Sequence, residues 1–307
     1  MPHVIVRRVL TAALALWGVT TAAFVLLRVL PGDPALTLLA GSGASEAAIA
    51  QARAQLGLDE PLAVQYGHYL WNVAHGDLGR SLFSNRPVML TISEQLPATV
   101  ELAVAALLIT VAAGLGLGIL TAVRAGSWLD RLCIGGAVLG MSAPIFWSGL
   151  LLTWLFSVTL NWLPATGAGS WQHLLMPATL LGLVGAGPLA RLVRAHMLTT
   201  LQAGYITAAR GKGLREPIVI RRHALRNALI PAVNLIGLQA GFLLSGTVVT
   251  ESVFARPGLG RTVVDAILWK DLPVVQGAVL LIAAAYVAVN LAVDLLAVAL
   301  DPRVRQP

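Results

Sequence analysis

Residues 132–190 read LCIGGAVLGMSAPIFWSGLLLTWLFSVTLNWLPATGAGSWQHLLMPATLLGLVGAGPLA, and no Asp, Glu, Lys or Arg occurs between Arg131 and Arg191. A helix crosses about 30 Å of hydrocarbon with about 20 apolar residues. The stretch is therefore too long for one crossing and suits two with a turn. The turn signals stand in its middle, at Asn161-Trp162-Leu163-Pro164-Ala165-Thr166-Gly167 followed by Gly169, Ser170 and Trp171.

Working outward, the other gaps between charges give candidate spans at Val9–Leu27, Leu102–Val123, Asn227–Thr250 and Leu272–Val293. With the two spans above they make six. The composition agrees: apolar residues make up 57% of the 307, charged residues 11%, and mean hydropathy is +0.79. Such a chain has too little polar surface for water and calls for a bilayer. Arg7 and Arg8 before the first apolar run resemble a secretory leader, but the run exceeds a typical leader core and no small-residue cleavage site ends it before Arg28. The reading is an uncleaved first membrane helix.

Six spans put both termini on one side. Lysines and arginines concentrate in the N-terminus (Arg7, Arg8), the second-to-third connection (Arg124, Arg131), the fourth-to-fifth connection and the tail (Arg303, Arg305). The fourth-to-fifth connection alone carries Arg191, Arg194, Arg210, Lys212, Arg215, Arg221, Arg222 and Arg226 against the single acid Glu216. Basic residues mark cytoplasmic segments, so these segments and both termini are expected in the cytoplasm. Their scatter over separate connections does not make a nucleic-acid stripe, and no nucleic-acid partner is expected. The first connection, residues 31–97, holds a helical signal from Ser45 to Leu56 with Ser45 as N-cap. The expected architecture is an all-α integral membrane protein of six transmembrane helices. Residues 1–30 hold the N-terminus and first helix, 31–97 a small extracytoplasmic subdomain, and 98–307 a five-helix core containing the cytoplasmic loop 195–230.

Within the spans, Gly114, Gly116 and Gly118 allow close helix approach, while Pro144, Pro177 and Pro188 bend or interrupt the third and fourth helices. Both features read as packing or as irregular helices along a substrate path. The single Cys133 excludes a disulfide framework, and it reads as packing. His3, His68, His75, His173, His196 and His223 share no ligand spacing, so no metal site and no cofactor is expected.

A Gly-x-x-x-x-Gly-Lys-Ser/Thr phosphate cradle is absent from the sequence, which argues against ATP hydrolysis by this chain. Ion-coupled carriers place ionisable residues at mid-membrane, whereas Glu101, Glu251 and Asp294 sit only at span edges. Carriers that use backbone sites stay open. An enzyme would need paired carboxylates or a nucleophile and base on one face, and the sequence supplies neither.

The informative segment is cytoplasmic: Tyr205-Ile206-Thr207-Ala208-Ala209-Arg210-Gly211-Lys212-Gly213-Leu214, then Arg222-His223-Ala224-Leu225-Arg226-Asn227-Ala228-Leu229-Ile230-Pro231. Small residues at 207–209 permit close approach, Gly213 can take a positive φ, and Glu216-Pro217 suits the start of a second short helix. The result is a basic helix-turn-helix just inside the membrane. Anchoring to anionic lipid would account for its charge but not for its glycine and small residues.

This segment resembles the coupling loop of permease subunits of ATP-binding-cassette importers, with Thr207, Ala208, Ala209 and Gly213 on the Glu-Ala-Ala, three residues, Gly pattern and Thr in place of Glu. Pro231 lies further from Gly213 than the general pattern has it, as in the peptide/nickel branch. Leu30-Pro31-Gly32-Asp33-Pro34, Leu56-Gly57-Leu58-Asp59 with Pro61-Leu62, and Gly76-Asp77-Leu78-Gly79 with Ser81 resemble the same branch. So do Leu96-Pro97-Ala98-Thr99, Phe254 with Pro257-Gly258-Leu259-Gly260-Arg261, and the tail Asp301-Pro302-Arg303-Val304-Arg305. The resemblance implies a multi-pass subunit of the bacterial inner membrane with no ATPase site of its own. Its implied partners are a second, similar permease, two cytoplasmic ATP-binding subunits and an extracytoplasmic solute-binding protein. Membrane lipid surrounds it. In that family the loop docks in a cleft on the ATPase, which assigns coupling to Tyr205, Thr207, Ala208, Ala209, Lys212, Gly213, Leu214, His223, Arg226, Asn227 and Pro231. Peptide is the first expectation for the solute. Nickel, a metal chelate or glutathione is the alternative, as is a self-sufficient ion-coupled carrier or channel.

Overall fold

The computed structural model describes residues 2–29, 36, 45–55 and 57–300. Leu30 to Pro34, Leu56 and the tail motif at 301–305 lie outside the described residues.

Apolar runs form the long helices, and shorter, more polar helices lie between them. They are α1 Pro2–Val29, α2 Glu46–Gln55, α3 Leu62–Ala74, α4 Val88–Val123, α5 Trp128–Ser142 and α6 Ile145–Leu152, which continues as a π segment over Thr153–Thr159. Then come α7 Gln172–Leu201, α8 Gly204–Gly211, α9 Glu216–Ala228, α10 Ile230–Val253, α11 Leu259–Leu268 and α12 Leu272–Leu300. Among the described residues there is no β-strand, only an isolated bridge between Arg80 and Pro87. The chain is all-α.

Local chemistry sets several boundaries. Ser45 caps α2, its Oγ accepting from the Ala48 N–H at 3.4 Å, and Ser127 caps α5, accepting from the Asp130 N–H at 3.2 Å. The second span was expected over Leu102–Val123, but α4 starts at Val88, spans 36 residues and carries Pro97 inside it. At 1.5 Å per residue it is about 54 Å long, well beyond the hydrocarbon thickness.

Four helices are long and apolar enough to cross a membrane among the described residues, or up to six if each of two bent pairs is one span. The first bent pair is the expected third span: α5 and Ile145–Thr159 meet at 107°. Pro144 explains the break, because a proline pushes the residue before it out of the helical region, and Ala143 is extended at φ −79°, ψ 132°. Pro177 and Pro188, by contrast, lie inside the unbroken α7. The second bent pair joins α9 to Pro231–Leu244 at 56°, so the expected fifth span Asn227–Thr250 is divided at Leu229, before Pro231.

Contacts divide the chain into two compact units, Met1–Thr99 with Pro257–Ala288 and Val100–Arg256 with Val289–Pro307. In the first, Phe24 of α1 stacks on Tyr69 of α3 with ring centroids 5.5 Å apart, and the Thr21 and Tyr66 hydroxyls hydrogen-bond at 2.6 Å. Val88, Ile92, Leu259, Val263 and Val274 form its core.

The second unit is built on a glycine seam. A carbon added at Gly114 would lie 2.8 Å from Leu189 Cβ, and one at Gly118 would lie 2.7 Å from Val193 Cβ and 2.8 Å from the Ala190 carbonyl. Gly182 on α7 returns the contact, 2.6 Å from Ile109 Cβ, and the Thr110 hydroxyl donates to the Gly182 carbonyl at 3.0 Å. Two glycines four apart let backbones of α4 and α7 approach where no hydrophobic force separates helix from lipid. Gly116 meets nothing within 4 Å, so it takes no part in the seam.

Candidate functional site

The basic segment folds as a helical hairpin. In α8, Ile206 is fully buried and Ala209 nearly so, packing with Ala122, Val193, Met197, Val219, Ala224 and Ala228. Tyr205, Thr207, Ala208, Lys212, Gly213 and Leu214 point outward. Of the three small residues in a row, only Ala209 serves packing. Thr207 and Ala208 present a low, exposed surface.

Gly213 has φ +77°, a region that costs an L residue but not glycine. Its N–H donates to the Arg210 carbonyl at 2.9 Å, and the Leu214 N–H donates to the Ala209 carbonyl at 3.4 Å. These two bonds make a Schellman ending, which satisfies carbonyls the helix leaves open. Arg210 then reaches over the turn: its Nε donates to Glu216 Oε2 at 3.0 Å and its Nη2 to Oε1 at 2.6 Å. Those bonds hold the Glu216 carboxyl below its ordinary range and raise Arg210. At the other end of the hairpin, the Asn227 amide donates to the Tyr205 hydroxyl at 2.9 Å and to the His223 carbonyl at 3.4 Å.

The structure thus unites most of the expected residues. Tyr205 and Asn227 bond directly, His223 contributes its carbonyl, and Lys212 closes α8. Arg226 is exposed on α9, while Pro231 stands in the first turn of α10, outside the exposed hairpin. The sequence reading left two pairs unassigned. One is Arg210 with Glu216, signalled by opposite charges flanking the Gly213 turn. The other is Asp130 with Arg194: Nε donates to Oδ1 at 2.9 Å and Nη2 to Oδ2 at 2.7 Å, and the Gly126 N–H adds a third bond at 2.9 Å. This bidentate pair ties the first turn of α5 to α7, the helix that runs into the hairpin. Charges used only as span boundaries conceal such partners.

The other singled-out segments are clasps. Thr99 Oγ1 accepts from the Leu259 N–H at 2.8 Å at the start of α11. The buried Arg256 pairs with Glu101, and Phe254 packs with Met176 and Leu180. Asp271 accepts from the Ser81 hydroxyl and, at 3.0 Å, from the Leu82 N–H. His173 bonds through Nδ1 to the Ser170 hydroxyl at 2.8 Å, one helical turn away. Among the described residues no three His, Cys, Asp or Glu side chains converge on a possible metal position.

The hairpin thus sets small exposed residues over a buried root. Comparison with known proteins bears on the whole chain. Residues 114–306 match the family described as binding-protein-dependent transport system inner membrane component, and residues 1–103 match the N-terminal part of such membrane components. The chain is 44% identical over 313 residues to a protein of Brucella abortus (strain 2308) named as a peptide transport system permease, covering 99% of each. It is 43% identical over 305 residues to a glutathione transport system permease protein of Salmonella typhimurium, again over 99% of each. Among solved structures, an inward-facing MetNI methionine ABC transporter matches with a TM-score of 0.58 at 22% identity, over 69% of this chain and 97% of that one.

Proposed function

This chain belongs to the family of binding-protein-dependent transport system inner membrane components, the permease subunits of ATP-binding-cassette importers, and from that premise we propose that it forms half of a translocation pore for peptides. It works with a second homologous permease, two cytoplasmic ATP-binding subunits and an extracytoplasmic solute-binding protein. The bent pair of α5 with Ile145–Thr159 counts as one crossing and α10, entered from the cytoplasmic α9, as another, giving six. Both termini and the loop 195–230 face the cytoplasm, and residues 31–97 form an extracytoplasmic subdomain.

The observation that carries the coupling role is the hairpin's two-sidedness. Its exposed edge, Thr207, Ala208, Gly213 and Leu214, offers a low surface to an ATPase cleft, while Ile206 and Ala209 root it in the cluster with Val193 and Met197 of α7 and Ala232 of α10. Movement of α8 is passed to both membrane helices through close packing, which transmits strain. ATP binding then biases an existing equilibrium between inward and outward states, to the extent that the ATPase contacts the two differently.

Peptide comes first because the relative at 44% identity is named for peptide transport, and glutathione, itself a small peptide, is the second reading from the relative at 43%. The test is reconstitution in liposomes with all partners, comparing labelled dipeptide with labelled glutathione. Peptide uptake that requires ATP and every subunit is expected. Uptake by the single chain driven by an ion gradient would assign it to the carrier class instead.

A further inference from the structure

Beside the Asp271 clasp lies an exposed apolar cluster. Phe83 (66% exposed) and Trp269 (57%) have ring centroids 4.3 Å apart, and Ile267 and Leu268 (71% exposed) end the preceding helix. The clasp fixes these rings. Asp271 is only 5% exposed and accepts from Ser81 and Leu82, the two residues before Phe83, while its own N–H donates to the Ala266 carbonyl at 2.8 Å. A buried carboxylate is costly unless hydrogen-bonded, so these bonds hold an apolar surface in a set geometry.

Chain connectivity says what covers it. Trp269 stands three residues before Leu272, where the apolar span Leu272–Val293 begins, and Phe83 five residues before Val88, where the apolar α4 begins. The two helix starts are packed together, since a carbon added at Gly277 would lie 2.6 Å from Val88 Cγ1. Met89 and Leu90, in the first turn of α4, are exposed as well. Lys270 is exposed between the aromatic ring and the span. Aromatic rings with a neighbouring cation at the end of an apolar span are the chemistry of the headgroup boundary. α11 has the form of an interfacial helix, burying Leu259, Val263 and Ala266 on one side and ending in Ile267 and Leu268.

We propose that Phe83, Ile267, Leu268 and Trp269 form a rigid anchor seated in the headgroup and acyl boundary of the bilayer, with Lys270 on the lipid phosphates. The side of the membrane, taken as the outer one, rests on the six-crossing reading, whereas contact with lipid does not.

The experiment uses the assembled importer in liposomes of phosphatidylethanolamine and phosphatidylglycerol, with Cys133→Ser and a nitroxide on Leu268→Cys or, separately, on Ile267→Cys. Collisions with oxygen are expected to exceed those with a water-soluble nickel chelate at both positions, with or without the solute-binding protein. Adding Asp271→Asn should shift the balance towards the chelate. Chelate collisions predominating in the otherwise unaltered protein would overturn the anchor, and so would a label immobilised only on adding the solute-binding protein, which would make the cluster a protein-docking surface. An impermeant maleimide on Lys270→Cys separates the two readings. Labelling from the cytoplasmic side alone, with oxygen still favoured at 268, would remove the six-crossing topology and leave the anchor standing.

Discussion

Gly213 sits at φ +77° with no atom within 4 Å of the position a side-chain carbon would take. Space is therefore not what requires glycine there within this chain. A β-branched residue would carry backbone strain of about 1–3 kcal/mol and would project from the edge offered to the ATPase. Asparagine tolerates this conformation far better. Gly213→Val, at normal abundance in the membrane, is expected to abolish substrate-stimulated ATP hydrolysis and uptake, while Gly213→Asn retains part of both. Normal uptake by Gly213→Val would make the hairpin a lipid anchor. The glycine and its positive φ were legible in the sequence because a helix ending leaves few alternatives. The Arg210 to Glu216 clip was not: spacing alone cannot tell a paired charge from a solvated one, and both side chains remain about half exposed.

Among the helices, the sequence suggested close approach at Gly114, Gly116 and Gly118 alike, and the structure separates them. At Gly118 an added carbon would meet the Ala190 carbonyl at 2.8 Å, and backbone cannot move aside as a side chain can. Overpacking of this kind costs about 1–3 kcal/mol. Gly118→Val should lower the melting temperature of the detergent-solubilised importer by several degrees, whereas Gly116→Val should leave it unchanged. Equal loss at both positions would show that intrinsic helix effects, not the seam, govern stability. The spacing of four was readable, but choosing 114 and 118 over 116 requires knowing which face of α4 meets α7. Proline showed the same limit. Pro144 breaks its span at 107°, while Pro177 and Pro188 lie within a continuous helix. In each case the surroundings decide whether the lost backbone hydrogen bond is made good.

At the scale of the whole molecule, charge-free gaps gave six crossings, whereas helix length and composition among the described residues give four, or up to six with the bent pairs. The difference comes from bends that hydropathy averages over. A broken span can cross, or it can return to the side it entered, and these alternatives place the hairpin oppositely. Basic asymmetry favours crossing. The fourth-to-fifth connection has eight cations against one acid, and re-entry of one pair alone would put the chain termini on opposite sides. Residue 50, in α2, is far from both bent pairs, and residue 213 stands on the exposed turn before Glu216, away from the bend at Leu229, so labels there report topology without disturbing the bends. In a Cys133→Ser background, an impermeant maleimide applied to intact spheroplasts should label Ala50→Cys and spare Gly213→Cys, and permeabilisation should then expose 213. A reactive 213 with a protected 50 would invert the topology. Labelling of both positions in intact spheroplasts would show that an odd number of the segments between them cross differently, and would point to α5 with Ile145–Thr159, the bent pair between them, as re-entrant.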